Sequence, residues 1–357
     1  MFLPHPQLIS LMQMWSARAA GILLYIMILS LLSGISGMAS DNNPVIYDYS
    51  PYFLVYKDGS VKRLKAEEQT PPGLDPLTNV DSKDIRISAD VSARIYLPPI
   101  NINSTSTKLS LILYFRGGGF CIFSSASPIV HRHLNGLAAV SSSIILSVDY
   151  RRAPEHHIPV QYDDCWAALE WVASHRSDVE PWLLDHADYD RVYLAGDSAG
   201  GNIVHNLAMR VGSQGMISSY SLKLAGTILL DPYFWGKNLT ASEKAADPVL
   251  RKKLDQLWGM ICPESTAGND DPRVNPLAVG APSLADLGCT RMLLCTSEKD
   301  AMRDRALMYY EALTKSSGWR GTAELYEAAG EDHEYYLNHP DSNSTAMLRA
   351  RIAAFLT

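Results

Sequence analysis

Gly196-Asp197-Ser198-Ala199-Gly200 fits the pattern G-x-S-x-G, in which a serine hydroxyl is presented as a nucleophile on a sharp strand-to-helix turn. The flanking glycines matter because a turn that tight leaves no room for side chains beside it. The amides after the serine open a helix, whose N-terminus favours a developing negative charge. A second glycine run, Gly117-Gly118-Gly119, follows the apolar segment ending at Phe115 and exposes backbone N–H groups that no side chain shields. A serine nucleophile needs a base, and the base needs an orienting acid. Ten histidines are present, but only His333 and His339 follow both Ser198 and a carboxylate at a strand end. His333 lies in the loop Ala329–His333, whereas His339, before Pro340, reads as a surface turn. Asp300, just after an apolar segment, stands where the acid belongs. Asp304 is the rival, but its neighbours Arg303 and Arg305 make an ion-paired helix surface the simpler reading. The chemistry this set supports is acyl transfer.

Such residues must be carried by a sheet, and the pattern supplies one. Phe53–Tyr56 and Val61–Leu64 flank Lys57-Asp58-Gly59-Ser60, a hairpin signal. Val91–Leu97 reads as a strand. Leu109–Phe115 and Ile144–Val148 are short continuous apolar runs, as expected of strands buried on both faces. Further strands are predicted at Val192–Ala195, Ala225–Leu230, Met292–Thr296 and Ala323–Tyr326. Helical periodicity covers Tyr162–His175, Gly201–Val211, Asp247–Ile261, Met302–Ser316 and Ser344–Phe355. Alternation of this kind implies an α/β fold with a mostly parallel central sheet and helices on both faces.

Composition closes off several other functions. Lys and Arg total 31 against 38 Asp and Glu, a net charge of −7, which is the wrong sign for holding a phosphate backbone, so no nucleic acid is expected as partner. The five cysteines include no C-x-x-C and suggest no disulfide framework or zinc knuckle. His131-x-His133 and His156-His157 lack a third ligand at sensible spacing, and neither G-x-G-x-x-G nor a P-loop occurs, so neither a metal nor a nucleotide cofactor is expected. Asp149–Glu155 reads as a structural ion-pair and turn cluster. Residues 1–40 form an apolar N-terminal segment in which 19–40 carry no formal charge. It reads as a signal peptide, as a membrane anchor if retained, or as an over-extended start before Met38. Starting at Met38, the chain would be cytoplasmic; otherwise 19–40 would direct it to the secretory pathway or the endoplasmic reticulum membrane. Sequons at Asn103, Asn238 and Asn343 suit the latter.

These motifs, taken in order, resemble the plant carboxylesterase branch of the hormone-sensitive-lipase-like α/β-hydrolases. The likeness runs from about Tyr47 to the C-terminus. It rests on Ser50-Pro51-Tyr52 with Val55–Gly59, the Phe115–Cys121 glycine segment, Val148–Arg151 with Ala153-Pro154-Glu155, Tyr162-Asp163-Asp164, Gly196–Asn202, and Asp300 with Asp304-Arg305. It implies an α/β-hydrolase domain over 41–357, with lid elements at about 41–75 and 235–271. It implies a triad of Ser198, Asp300 and His333, and an oxyanion hole from the amides of Gly118, Gly119 and Ala199. The expected partner is a small-molecule ester, hydrolysed without a cofactor. Two other functions occur on this fold: a lyase, cyclase or dehydratase reusing the pocket, and a non-catalytic hormone receptor, which lacks the histidine present here as His333. The motif departs from the family at Arg116, where the glycine segment normally begins with His. The guanidinium is expected to stay in solvent or pair with a carboxylate; the competing expectation is that it enters the pocket to bind an anionic substrate.

Overall fold

The computed structural model describes residues 43–100, 108–174, 180–214, 224–315 and 318–357. The apolar stretch 19–40, Met38 and the sequon at Asn103 lie outside them, as do the ends of two predicted helices, His175 and Ser316. No helix among the described residues is long and apolar enough to cross a membrane. The chain divides into two units, a small one of residues up to 48 with 54–62, and a large one of 49–53 with 63–357. The small unit carries most of a three-stranded sheet in the order β1 (Val45–Tyr49), β2 (Phe53–Tyr56), β3 (Val61–Arg63). Its expected hairpin closes through Gly59 N–H donating to the Tyr56 carbonyl at 2.9 Å, with Gly59 in the left-handed region at φ +83°.

The large unit is built on an eight-stranded sheet. Its strands are β4 (Asp81–Arg86), β5 (Ser92–Leu97), β6 (Leu109–Phe115), β7 (Ile144–Asp149), β8 (Ala187–Asp197), β9 (Leu224–Leu230), β10 (Arg291–Ser297) and β11 (Thr322–Ala328), in the order β11-β10-β9-β8-β6-β7-β5-β4. Only β4 with β5 and β5 with β7 pair antiparallel; the six strands from β11 to β7 run parallel. Strands β6 and β7 are buried on both faces, as their unbroken apolar runs require. One face packs Ile112, Tyr114, Ile145, Tyr193 and Leu293 against α1 (Pro128–Ser141) and the terminal helix α9 (Asn343–Phe355). Helices α2 (Val160–Ser174) and α4 (Ala199–Gln214) pack on each other, and α4 lies against β6, β8 and β9. A six-residue helix α3 (Pro181–His186) precedes β8. Helices α5 (Ala241–Ala245) and α6 (Pro248–Ile261) lie between β9 and β10, α7 (Arg303–Lys315) follows β10, and the short α8 (Tyr335–Asn338) follows β11.

Two elements of this sheet and its cover escape the apolar pattern for physical reasons. Strand β4 is an edge whose sequence, Asp-Ser-Lys-Asp-Ile-Arg, buries only Ser82, so no alternation marks it. Helix α1 buries the polar His131, His133 and Asn135 along with Val130, Leu134 and Leu137, so its buried face is not made of apolar residues alone. His131 contacts Arg94, Tyr96 and Asn135, whereas His133 lies beside the rings of Tyr114 and Tyr336 with neither ring nitrogen hydrogen-bonded among the described residues.

Register decides where chemistry gathers. Phe115 pairs with Gly196, Asp197 with Leu230, Leu230 with Cys295 and Ser297 with Ala328, so the parallel strands end level. Every loop that follows them opens at the carboxyl edge of one sheet, where open α/β folds bind ligands.

Candidate active site

Ser198 sits at the junction of β8 and α4 with φ +50°, a left-handed conformation uncommon for a residue with a side chain. The junction is held from three sides: Ser198 N–H donates to the Leu230 carbonyl at 2.8 Å, and the Ser198 carbonyl accepts from Tyr233 at 2.8 Å and Asn202 at 3.1 Å. The flanking glycines are required by space. A Cβ on Gly196 would come within 2.5 Å of the Gly200 backbone, and one on Gly200 would overlap the Phe115 carbonyl oxygen. The strained turn is therefore locked between β6 and β9.

The glycine segment after β6 turns through Gly118 at φ +88° and Gly119 at φ +59°. The Gly118 carbonyl accepts from the amides of Cys121 and Ile122, and the Tyr150 hydroxyl donates to the Arg116 carbonyl at 2.8 Å. The amide N–H groups of Gly118 and Gly119 have no backbone acceptor among the described residues. Ala199 is the first residue of α4, so its amide lies in the helix's first turn, which has no intrahelical acceptor.

Arg116 neither stays in solvent nor enters the cavity beside Ser198. It is 1% exposed and donates to three backbone carbonyls: Phe123 at 2.6 Å, Val148 at 3.3 Å and Tyr150 at 3.4 Å. Its guanidinium lies 4.1 Å from the centre of the Tyr150 ring and 3.9 Å from Asp149 Oδ1. The expected carboxylate pairing is thus present but is longer than any of the three carbonyl contacts; the carbonyl fan holds the side chain.

His333 and Asp300 come from the loops after β11 and β10. Lys299 N–H donating to the Glu331 carbonyl at 3.0 Å, and Gly330 N–H donating to Glu298 at 2.6 Å, tie the two loops together. His333 Nδ1 stands 2.7 Å from Asp300 Oδ2, and His333 Nε2 stands 3.0 Å from Ser198 Oγ. The other oxygen of Asp300 accepts from the Met302 amide at 2.9 Å, which fixes the carboxylate. Asp304, by contrast, accepts from the Ser242 amide at the start of α5 and pairs with Arg303. Burial alone would favour the neutral imidazole, yet the Asp300 carboxylate, with Glu334 and Asp231 nearby, outweighs it and raises His333 above the ordinary histidine value.

Three acids near this line were not picked out by motif: Asp231, Glu334 and the motif's own Asp197. Asp231 is 1% exposed and accepts from Ser297 Oγ at 2.9 Å and from the Glu334 amide at 3.1 Å. Burial, reinforced by the charge of Asp300, pushes its carboxyl up to about 7. Its signal in the sequence was the one that marks Asp300, a carboxylate directly after an apolar strand. Asp231, Asp300 and His333 offer ligand atoms within 4.8 Å of one another. Their oxygens and nitrogens are already engaged in the bonds just described, so the group reads as a hydrogen-bonded network and not as a metal cradle.

Beside Ser198 lies a cavity of about 360 Å³. Leu250, Leu254 and Leu257 of α6, with Tyr233, Ala301 and Met302, give it an apolar lining beside Gly119, Ser198 and His333.

A family model described as the alpha/beta hydrolase fold matches residues 112–337. Over 315 residues the chain is 42% identical to a 2-hydroxyisoflavanone dehydratase of Glycyrrhiza echinata, covering 86% of this chain and 94% of that protein. It is 40% identical over 326 residues to probable carboxylesterase 13 of Arabidopsis thaliana, covering 88% and 98%. Among solved structures, the hyperthermophilic esterase of Pyrobaculum calidifontis superposes with a TM-score of 0.61 at 26% identity, covering 78% of this chain and 84% of that one.

Proposed function

Because the chain belongs to the α/β-hydrolase fold family, as a plant carboxylesterase-like member, we propose that it hydrolyses small-molecule carboxylic esters, with Ser198 as nucleophile, His333 as base and Asp300 as orienting acid. The observation that carries the reading is the continuous line Ser198 Oγ to His333 Nε2 at 3.0 Å and His333 Nδ1 to Asp300 at 2.7 Å. Ser198 Oγ attacks the ester carbonyl as His333 takes its proton. Asp300 fixes the imidazole with Nδ1 protonated and stabilises the imidazolium. The amides of Gly118, Gly119 and Ala199 receive the oxyanion. His333 then returns the proton to the departing alcohol, leaving an acyl-serine that water cleaves by the same route reversed. These steps draw on protein groups and water alone.

The segment 235–271 acts in this reading as a lid element, through the leucines of α6. The likeness to a dehydratase favours one second reading, in which His333 abstracts a proton and water is eliminated. Labelling with a fluorophosphonate, followed by kinetics on a nitrophenyl ester, separates the two. Ester hydrolysis predicts rapid labelling of Ser198, and losses on the order of 10³-fold or more in Ser198→Ala and His333→Ala. Asp300→Asn should be nearly as damaging and Asp304→Asn much milder. Ester turnover that survives Ser198→Ala would overturn the proposal.

A further inference from the structure

Glu334 directly follows His333 and is held in the left-handed region at φ +53° as the residue capping α8. Glu334 Oε1 is buried with no hydrogen-bond partner among the described residues, and it lies 3.9 Å from His333 Nε2. Asp197, the acid of the nucleophile turn, is 2% exposed. A Cβ on Gly117 would meet Glu334 Oε1 and would come within 2.5 Å of Asp197 Oδ2, so the two carboxyl oxygens flank one point on the glycine segment. The donor seen there is Gly117 N–H, given to Asp197 Oδ2 at 3.0 Å. Two ionised carboxylates so placed, with Glu334 Oε1 and Asp197 buried and one amide between them, would repel each other strongly.

We propose that Glu334 stands in the site as a neutral carboxylic acid whose proton is directed at Asp197, so that the acid pair clamps the glycine segment to the nucleophile turn and leaves His333 without a second full negative charge. Glu334 is thus a positioning residue, and the inference rests on the ester-hydrolase reading for its effect on rate but not for its protonation state. Burial first, and then the neighbouring Asp197 and Asp231, raise Glu334 well above the ordinary glutamate value, against the pull of His333. The other titratable groups around it are Asp300, in the loop after β10, and the hydroxyls of Tyr114 on β6 and Tyr336 on α8. Both tyrosines are buried and held well above their ordinary value, so they stay neutral. The consequence for the base is direct. An ionised Glu334 is one of the charges that raise His333, so a neutral Glu334 leaves more imidazole in the basic form that accepts the serine proton.

Three variants and one spectroscopic measurement test this in the full chain. Glu334→Ala removes the clamp and should lower kcat about tenfold with KM held, the size of one hydrogen bond to a charged partner. Glu334→Gln, whose amide can donate to Asp197 as the acid does, should restore that loss. Its acid limb in kcat/KM should lie at the wild-type pH, because no charge has been removed from beside His333. An acid limb displaced to lower pH in Glu334→Gln would mean that wild-type Glu334 is ionised, and would overturn the proposal. Equal losses in the Gln and Ala variants would overturn the clamp. Independently of any turnover, infrared spectra at about pH 8, where an ordinary carboxyl is fully ionised, should contain the carbonyl stretch of a protonated acid that disappears in Glu334→Gln and persists in Asp231→Asn. Its absence from the wild type would overturn the proposal even if ester hydrolysis stands. If no fluorophosphonate labelling occurs while the band is present, the hydrolase reading fails and the acid pair does not.

Discussion

Two parts of the site around Ser198, its two walls, are made by different physics. On one side, the Ser198 turn, the glycine segment and the loops carrying Asp300 and His333 are fixed by backbone geometry: left-handed residues, glycines against carbonyls, and carboxylates bonded to amides. On the other, α6 contributes side chains alone, with Leu257 6% exposed but Leu250 47%. Its glycine, Gly259, has open space for 4 Å around the point where a methyl group would sit, whereas Gly196 and Gly200 have no room at all. A wall built from backbone specifies where a charge can develop and tolerates no change of volume. One built from half-exposed leucines specifies the shape of what is bound and can be rebuilt. Substitutions on the first should cost folding and rate together, and those on the second should redistribute rate among substrates.

The largest effect expected from this contrast lies in a pair of identical changes. Gly200→Ala places a methyl group inside the Phe115 carbonyl oxygen, where backbone must move. The loss should reach or exceed the upper end of the roughly 1–3 kcal/mol typical of overpacking. Gly259→Ala, in the open interior of α6, should instead stabilise by about 0.5–1 kcal/mol through helix propensity. Thermal or denaturant unfolding of both variants measures the difference. Similar stability in the two would erase the distinction between the walls.

Arg116 gives an intermediate test. Arg116→His shortens a side chain that satisfies three buried carbonyls, and imidazole cannot reach all of them. Stability should fall by about 2 kcal/mol, the cost of buried acceptors left without donors. Selectivity between a neutral ester and its carboxylate-bearing counterpart should not change, because the guanidinium does not line the cavity beside Ser198. A KM increase confined to the anionic ester would show that it reaches the substrate after all.

Arg116 also marks the boundary of what the sequence discloses. The sheet was legible because strands buried on both faces must be written as apolar runs, and the position of Ser198 because a left-handed strand-to-helix turn demands glycines around it. Asp300 and His333 were legible through their places after strands. What escaped depends on distances across the chain. The carbonyls that Arg116 meets belong to residues 123, 148 and 150, which only the β6–β7 pairing brings together. The approach of Glu334 to Asp197 requires β8 and the loop after β11 to end at one edge of the sheet. Polar burial of this kind leaves no periodicity, and for the same reason no apolar pattern marks the buried histidines and Asn135 of α1.

The smallest effect should come from the leucine wall, and there its sign across substrates matters more than its size. Leu254 is half-buried and lies between Leu250 and Leu257 on the face of α6 that lines the cavity. Leu254→Ala deletes atoms from the cavity rim without touching a hydrogen bond or the line from Ser198 to Asp300. A methylene in an apolar pocket discriminates by about 1–3 kcal/mol, so the enlarged cavity should favour a longer acyl chain over a short one by roughly tenfold, about 1.4 kcal/mol. The fluorophosphonate labelling rate should stay unchanged, because the nucleophile and its base are untouched. The ratio of kcat/KM for matched short- and long-chain nitrophenyl esters reads the change directly. A uniform loss on both esters, with slower labelling, would mean that α6 helps hold the nucleophile turn, and that the two walls are mechanically one.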